Sequence, residues 1–193
     1  MIAGRSLSAL TAFMVAAAGM LFTATPAQAY THNCGKFYGI GEGGAISYRY
    51  YSITSTYQTA FGNAQERWDT TSPNSPGYFS KQQSNGDPMV EVRDGSYTWD
   101  AWARTSWQGC IFGNWAYNEV YVAFNSRTMK GLTARQKKMV AEHEIGHTYG
   151  LGHTSLTCSS GPSLMRQGTG KFGCSGDGPW SDDIKGARAK YTP

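Results

Sequence analysis

A chain of 193 residues with 17 Lys and Arg, 13 Asp and Glu and a net charge of +4 can close one hydrophobic core but is short for two domains. The excess positive charge is small and scattered, which argues against a basic nucleic-acid groove. Six Trp and twelve Tyr imply a sheet-rich core with an aromatic surface.

The first element is a removable leader. Arg5 is the lone charge before the apolar run over 7–22, a run too short to span a bilayer comfortably. Pro26 is followed by Ala27, Gln28 and Ala29, the small-x-small pattern that a signal peptidase needs, so residues 1–29 read as a signal peptide and 30–193 as the mature domain. A secreted chain with no membrane segment in its mature form is expected, and a monomer. Export also decides how the four cysteines are read: an even number in an oxidising compartment favours two disulfides over metal thiolates. Four cysteines allow three pairings, and the sequence does not choose among them. The expected arrangement is Cys158 with Cys174 as a local loop brace and Cys34 with Cys110 tying the N-terminus to the middle of the chain. Closing a loop as short as the first is worth about 3 kcal/mol in the chain-entropy picture.

Ile46, Tyr48 and Tyr50 alternate with Ser47 and Arg49, the period of a half-buried strand. Tyr57, Phe61, Ala64 and Trp68 then fall at spacings of four, three and four, one apolar stripe of a helix over 56–69. The stretch TTSPNSPG at 70–77 breaks that helix. Strands are expected at 78–82, 89–93, 97–105 and 119–125, the last from the alternation of Val120, Val122 and Phe124. A second helix starts at the capping box of Thr133 and Gln136, runs past Met139 and Val140, and stops near Gly150, a residue able to take left-handed geometry. An irregular Gly-rich stretch and a final helix follow, giving an α+β fold with a mixed twisted sheet.

The second helix carries HEIGHTYGLGH at 143–153, which holds three of the four histidines of the chain in eleven residues. His143 and His147 lie one turn apart on one face, and Gly150 lets the chain turn so that His153 can supply a third nitrogen. Three imidazoles can reach one zinc ion at about 2.0–2.1 Å and leave one tetrahedral position open, the arrangement of a catalytic rather than a structural zinc. Glu144 adjoins the first histidine, where its carboxylate can serve as a general base without being a ligand. The added Gly and third His lower the chance of an accidental match by roughly a further thousandfold over HExxH alone. Glu142 reads as a solvated helix residue and His32 as a surface residue near a terminus.

HEIGHTYGLGH resembles the HExxHxxGxxH signature of the metzincin metalloproteases, and SLM at 163–165 resembles their Met-turn. SDDIKGARAKY at 181–191 is similar to the closing helix of the matrixin branch, and ISYRYY, the 56–69 helix and EVYVAFN fall where matrixin-like domains place their first strand, first helix and last strand. The resemblance implies that His143, His147 and His153 bind one catalytic Zn2+, that Glu144 is the general base, that Gly150 supports the turn to His153, and that Met165 forms the floor beneath the metal. There are departures. His32 alone cannot build a histidine-rich structural zinc site, GDG at 176–178 does not specify calcium, Gln167 stands where some metzincins have a tyrosine ligand, and Tyr149 replaces an aliphatic residue. Cys34 with Gly35 resembles the cysteine that blocks zinc in latent matrixins, but its neighbours differ and the even cysteine count prefers a disulfide.

The expected activity is therefore secreted zinc-dependent endopeptidase, acting on a polypeptide that pairs with a sheet edge over 97–105, with residues 154–173 shaping the pocket. The alternative is a secreted glycan- or peptide-binding module whose metal is structural or absent, motivated by Trp99, Trp102, Trp107 and Trp115.

Overall fold

The computed structural model describes residues 30–40, 44–70, 76–82 and 86–192. The expected signal peptide and residues 71–75 of the expected break lie outside them. Strand β1 (Gly44–Tyr50) buries Ile46 and Tyr48 and turns Ser47 and Arg49 toward solvent, the alternation its sequence imposes. Helix α1 (Ser55–Asp69) buries Tyr57, Ala60, Phe61, Ala64 and Trp68, and burial of a side chain such as Phe61 is worth about 1.5–3 kcal/mol.

The strands β2 (Gly77–Lys81), β3 (Val90–Gly95), β4 (Ala103–Ser106) and β7 (Val120–Asn125) complete a five-stranded sheet in the order β2-β1-β3-β7-β4. Its first four strands are parallel, and β4 runs antiparallel to β7 at the edge. Between them, β5 (Cys110–Ile111) and β6 (Asn114–Trp115) form a separate hairpin. A short helix α2 (Ser126–Met129) leads to α3 (Ala134–Thr148), and α4 (Ser181–Tyr191) closes the chain. The fold is α+β with a mixed sheet, as the order of elements implied. Helix α3 packs on α1, and the Trp68 indole, fully buried, donates from Nε1 to the Glu142 carbonyl at 3.0 Å. No helix among the described residues is long and apolar enough to cross a membrane.

Two disulfides close the frame, Cys34 with Cys110 and Cys158 with Cys174, the pairing expected above. One expected strand is corrected. Only residues 103–105 of the 97–105 stretch enter the sheet, as part of β4, because the carbonyls before them have other partners. The buried Asn125 amide lies within 3.4 Å of the Tyr97 carbonyl, 2.7 Å of Trp99 and 3.3 Å of Ala101. The Arg127 guanidinium donates to Tyr97 at 2.8 Å, to Thr98 at 3.1 Å and to Trp99 at 2.9 Å. With those acceptors engaged by β7 and α2 side chains, the segment wraps as a loop instead of pairing as a ladder.

Candidate metal centre and active site

Helix α3 opens on the expected capping box: Gln136 N donates to Thr133 Oγ1 at 3.2 Å, and Thr133 N to Gln136 Oε1 at 2.8 Å. This fixes the register in which His143, Glu144 and His147 emerge toward β4. The helix ends as Gly150 takes a φ of +88°, with its N–H donating to the His147 carbonyl at 2.9 Å. A β-carbon there would also collide with the Gly35 carbonyl oxygen.

Beyond the turn, the chain is held by a segment far away in sequence. Asn33 N donates to the Gly150 carbonyl and Gly152 N to the Thr31 carbonyl, both at 2.7 Å. The Thr31 hydroxyl donates to the His153 carbonyl at 2.7 Å and the Asn33 amide to the Leu151 carbonyl at 2.8 Å. His153 is thereby presented on a braced loop. His32 is exposed, as expected, yet it is tied down: its Nε2 lies 2.9 Å from the Gly186 carbonyl and its backbone bridges Leu151.

The three imidazoles converge, with their possible ligand atoms all within 4.8 Å of one another. His143 Nδ1 lies 2.6 Å from the Leu164 carbonyl, and His147 Nδ1 lies 2.7 Å from the Leu151 carbonyl. A carbonyl can only accept, so each Nδ1 carries the proton and each Nε2 keeps its lone pair for a metal. The Nε2 atoms of His147 and His153 stand 3.1 Å apart, near the about 3.3 Å edge of a tetrahedron of nitrogens around zinc. Burial depresses the pKa of His143 far below the usual imidazole range, lowers that of His147, and brings that of His153 to about 4. Neutral donors therefore persist further into acid than free histidine would allow. The donor set fits a zinc ion.

Met165 is buried against α3, where a β-carbon on Gly146 would run into its Sδ. The bend that carries it is held from α4. Asp183 Oδ1 accepts from the Ser163 hydroxyl at 2.6 Å, and Asp183 Oδ2 accepts from Leu164 N at 3.0 Å and Trp180 N at 2.9 Å. Since the Leu164 carbonyl faces His143, Asp183 is linked to that ring through the backbone of one residue. Its own sequence signal was the acidic stretch at 181–191, which does not identify this residue.

Glu144 is buried, and the Thr105 hydroxyl on β4 lies 2.7 Å from its Oε2 and 3.1 Å from its backbone carbonyl. Burial pushes the carboxyl pKa up to about 7, opposed by the Thr105 hydrogen bond and then by the nearby Lys171 charge. Nothing in the sequence singled out Thr105, which meets Glu144 only because the edge strand runs alongside α3. Glu142 corrects its expectation. It is fully buried, with neither carboxylate oxygen hydrogen-bonded among the described residues and Lys138 Nζ at 3.7 Å. It lies beside Trp68 of α1, and burial pushes its pKa up to about 8.

A cleft of about 500 Å³ runs past these groups, lined by β4 on one wall, by Val140, His143, Glu144 and His147 on another, and by His153, Gln167, Gly168 and Lys171. The Cys158–Cys174 disulfide braces the loop that forms its far side. The four tryptophans behind the binding-module alternative are engaged in packing. Trp115 is buried with Trp107 against it at 4.6 Å, Trp102 stacks on Phe172 at 5.1 Å, and Trp99 lies between Tyr97 and the Arg104 guanidinium.

No protein-family model matches this chain, and no curated protein matches it. Among solved structures it is similar to myroilysin, at 21% identity and a TM-score of 0.41 over 58% of this chain and 50% of that one. The chain thus spans half the length of that structure.

Proposed function

We propose that the chain is a secreted zinc endopeptidase of the metzincin kind, built on the matrixin-like plan. The observation that carries this reading is the convergence of His143, His147 and His153 beside a buried Glu144, in a cleft bordered by a sheet edge. A leader-like 1–29 segment and two disulfides support export.

A zinc ion held by the three imidazoles would supply Lewis acidity toward the scissile carbonyl and lower the pKa of a water beside it. The protein does the rest. An extended substrate pairs with the outer edge of β4, which has no strand partner among the described residues, so main-chain hydrogen bonds set its direction without demanding a sequence. Glu144 takes the proton of the attacking water and delivers it to the departing amine. The Thr105 hydroxyl, donating to one carboxylate oxygen, leaves the other turned to this work. Leu164 and Leu151 hold the two helix histidines in the tautomer that presents Nε2.

Purified residues 30–193 should degrade an unfolded protein such as reduced casein, lose that activity to a chelator and regain it with one equivalent of zinc. Proteolysis indifferent to chelation would remove the metal from the mechanism. Binding without any cleavage would favour the module reading instead.

A further inference from the structure

Lys171 is a cation in an unusual place. It sits in the 3-10 turn Gly168–Gly173, is 3% exposed, and lines the cleft with Trp102, Val140 and Glu144. Its ammonium donates to the Arg166 carbonyl at 2.8 Å and to the Gly168 carbonyl at 3.1 Å. Among the described residues no carboxylate lies within ion-pair distance of it. It shares the cleft lining with Glu144 and the three imidazoles, and its charge acts on all four.

A buried ammonium carries three donors, and two neutral carbonyls leave one donor unmatched and no carboxylate in direct contact. Glu144 is the carboxylate on the cleft wall whose charge acts on the ammonium, but it lies beyond ion-pair distance, and the other charged groups there do not meet the free donor either. Arg104 has the same sign and stacks over Trp99, and Asp100 is turned to solvent and paired with Arg127 at 3.1 Å. The turn bearing Lys171 is fixed at its end by the Cys158–Cys174 bridge, and the two carbonyls hold the ammonium within it.

Building on the peptidase reading, we propose that Lys171 is a specificity residue that receives a substrate carboxylate in the cleft beside the histidine cluster. That carboxylate belongs either to an Asp or Glu side chain flanking the scissile bond or to the free C-terminus of a short peptide. Charge-assisted hydrogen bonding in a desolvated pocket is what favours it over the amide of equal size.

The test uses zinc-loaded residues 30–193 and a set of quenched fluorescent peptides carrying Glu, Gln or Leu at each of the three positions on either side of the cleaved bond. Each is made with a free and an amidated C-terminus. At one position Glu should exceed Gln in kcat/KM by about tenfold or more, or the free acid should exceed the amide by that factor; the two results separate the sources. The ratio should fall toward one in Lys171→Met and persist in Lys171→Arg. A merely structural lysine would lower the rates on Glu and Gln peptides alike and leave the ratio where it was. If Lys171→Met does not fold, Lys171→Gln and the ratio in Lys171→Arg serve in its place. Equal rates for all charge-matched pairs in the parent, or a ratio untouched by loss of the ammonium, overturn the proposal while leaving the peptidase reading standing. Failure to cleave any peptide overturns both.

Discussion

Glu144→Ala should retain zinc at the parent stoichiometry and lose about a hundred- to ten-thousandfold in kcat, the range a positioned general base contributes. The expectation follows from how Glu144 is held. Its backbone carbonyl lies 3.1 Å from the Thr105 hydroxyl in the parent and takes over that donor when the carboxylate is removed, so the contact between β4 and α3 survives. His143 and His147 keep their carbonyl partners at Leu164 and Leu151, and the loop bearing His153 keeps its tie to Thr31, so the donor set is not disturbed. Metal content by atomic emission, read beside single-turnover cleavage of an unfolded substrate, separates loss of the base from loss of the ion. A variant that bound zinc and cleaved at the parent rate would show that another group takes the proton.

The second large effect is expected at Gly150. Gly150→Val must adopt the φ of +88° that closes α3 while placing a β-carbon against the Gly35 carbonyl oxygen and the Lys190 side chain. Left-handed backbone costs a β-branched residue about 1–2 kcal/mol and the overpacking a similar amount, for a total of about 3 kcal/mol. The damage should not stay local. The same turn aligns residues 150–153 with Thr31 and Asn33, so relieving the clash moves His153. Zinc affinity, measured by competition with a chromophoric chelator, should fall by about 10–100-fold, together with a lowered denaturant midpoint. If the midpoint fell while the affinity held, the link between the turn and the third imidazole would be broken.

What could be read from the sequence was local. The capping box at Thr133, the turn at Gly150 and the alternation in 46–50 and 120–124 each depend on residues within a few positions, and each appears in the structure as its chemistry implies. Convergence of the three histidines was legible because all lie within eleven residues of one helix and its turn. What could not be read depends on tertiary partners. Thr105 meets Glu144 across 39 positions and Thr31 braces His153 across 122, and no periodicity marks either pair. The 97–105 stretch has strand composition, but Asn125 and Arg127 take its carbonyls, and that competition belongs to residues outside the stretch. Glu142 looked like a surface position because charge usually is; the Trp68 stripe of α1 covers it. Lys171 was equally silent, since burial of a lysine in a Gly-rich loop depends on the aromatic pair of Trp102 and Phe172 packed near it.

The most direct test is X-ray absorption at the zinc edge on protein carrying one equivalent of the metal. The central claim predicts three imidazole nitrogens and one exchangeable water-type oxygen at about 2.0–2.1 Å. A sulfur or a fourth protein side chain in that shell, or failure to hold one ion per chain, would contradict it.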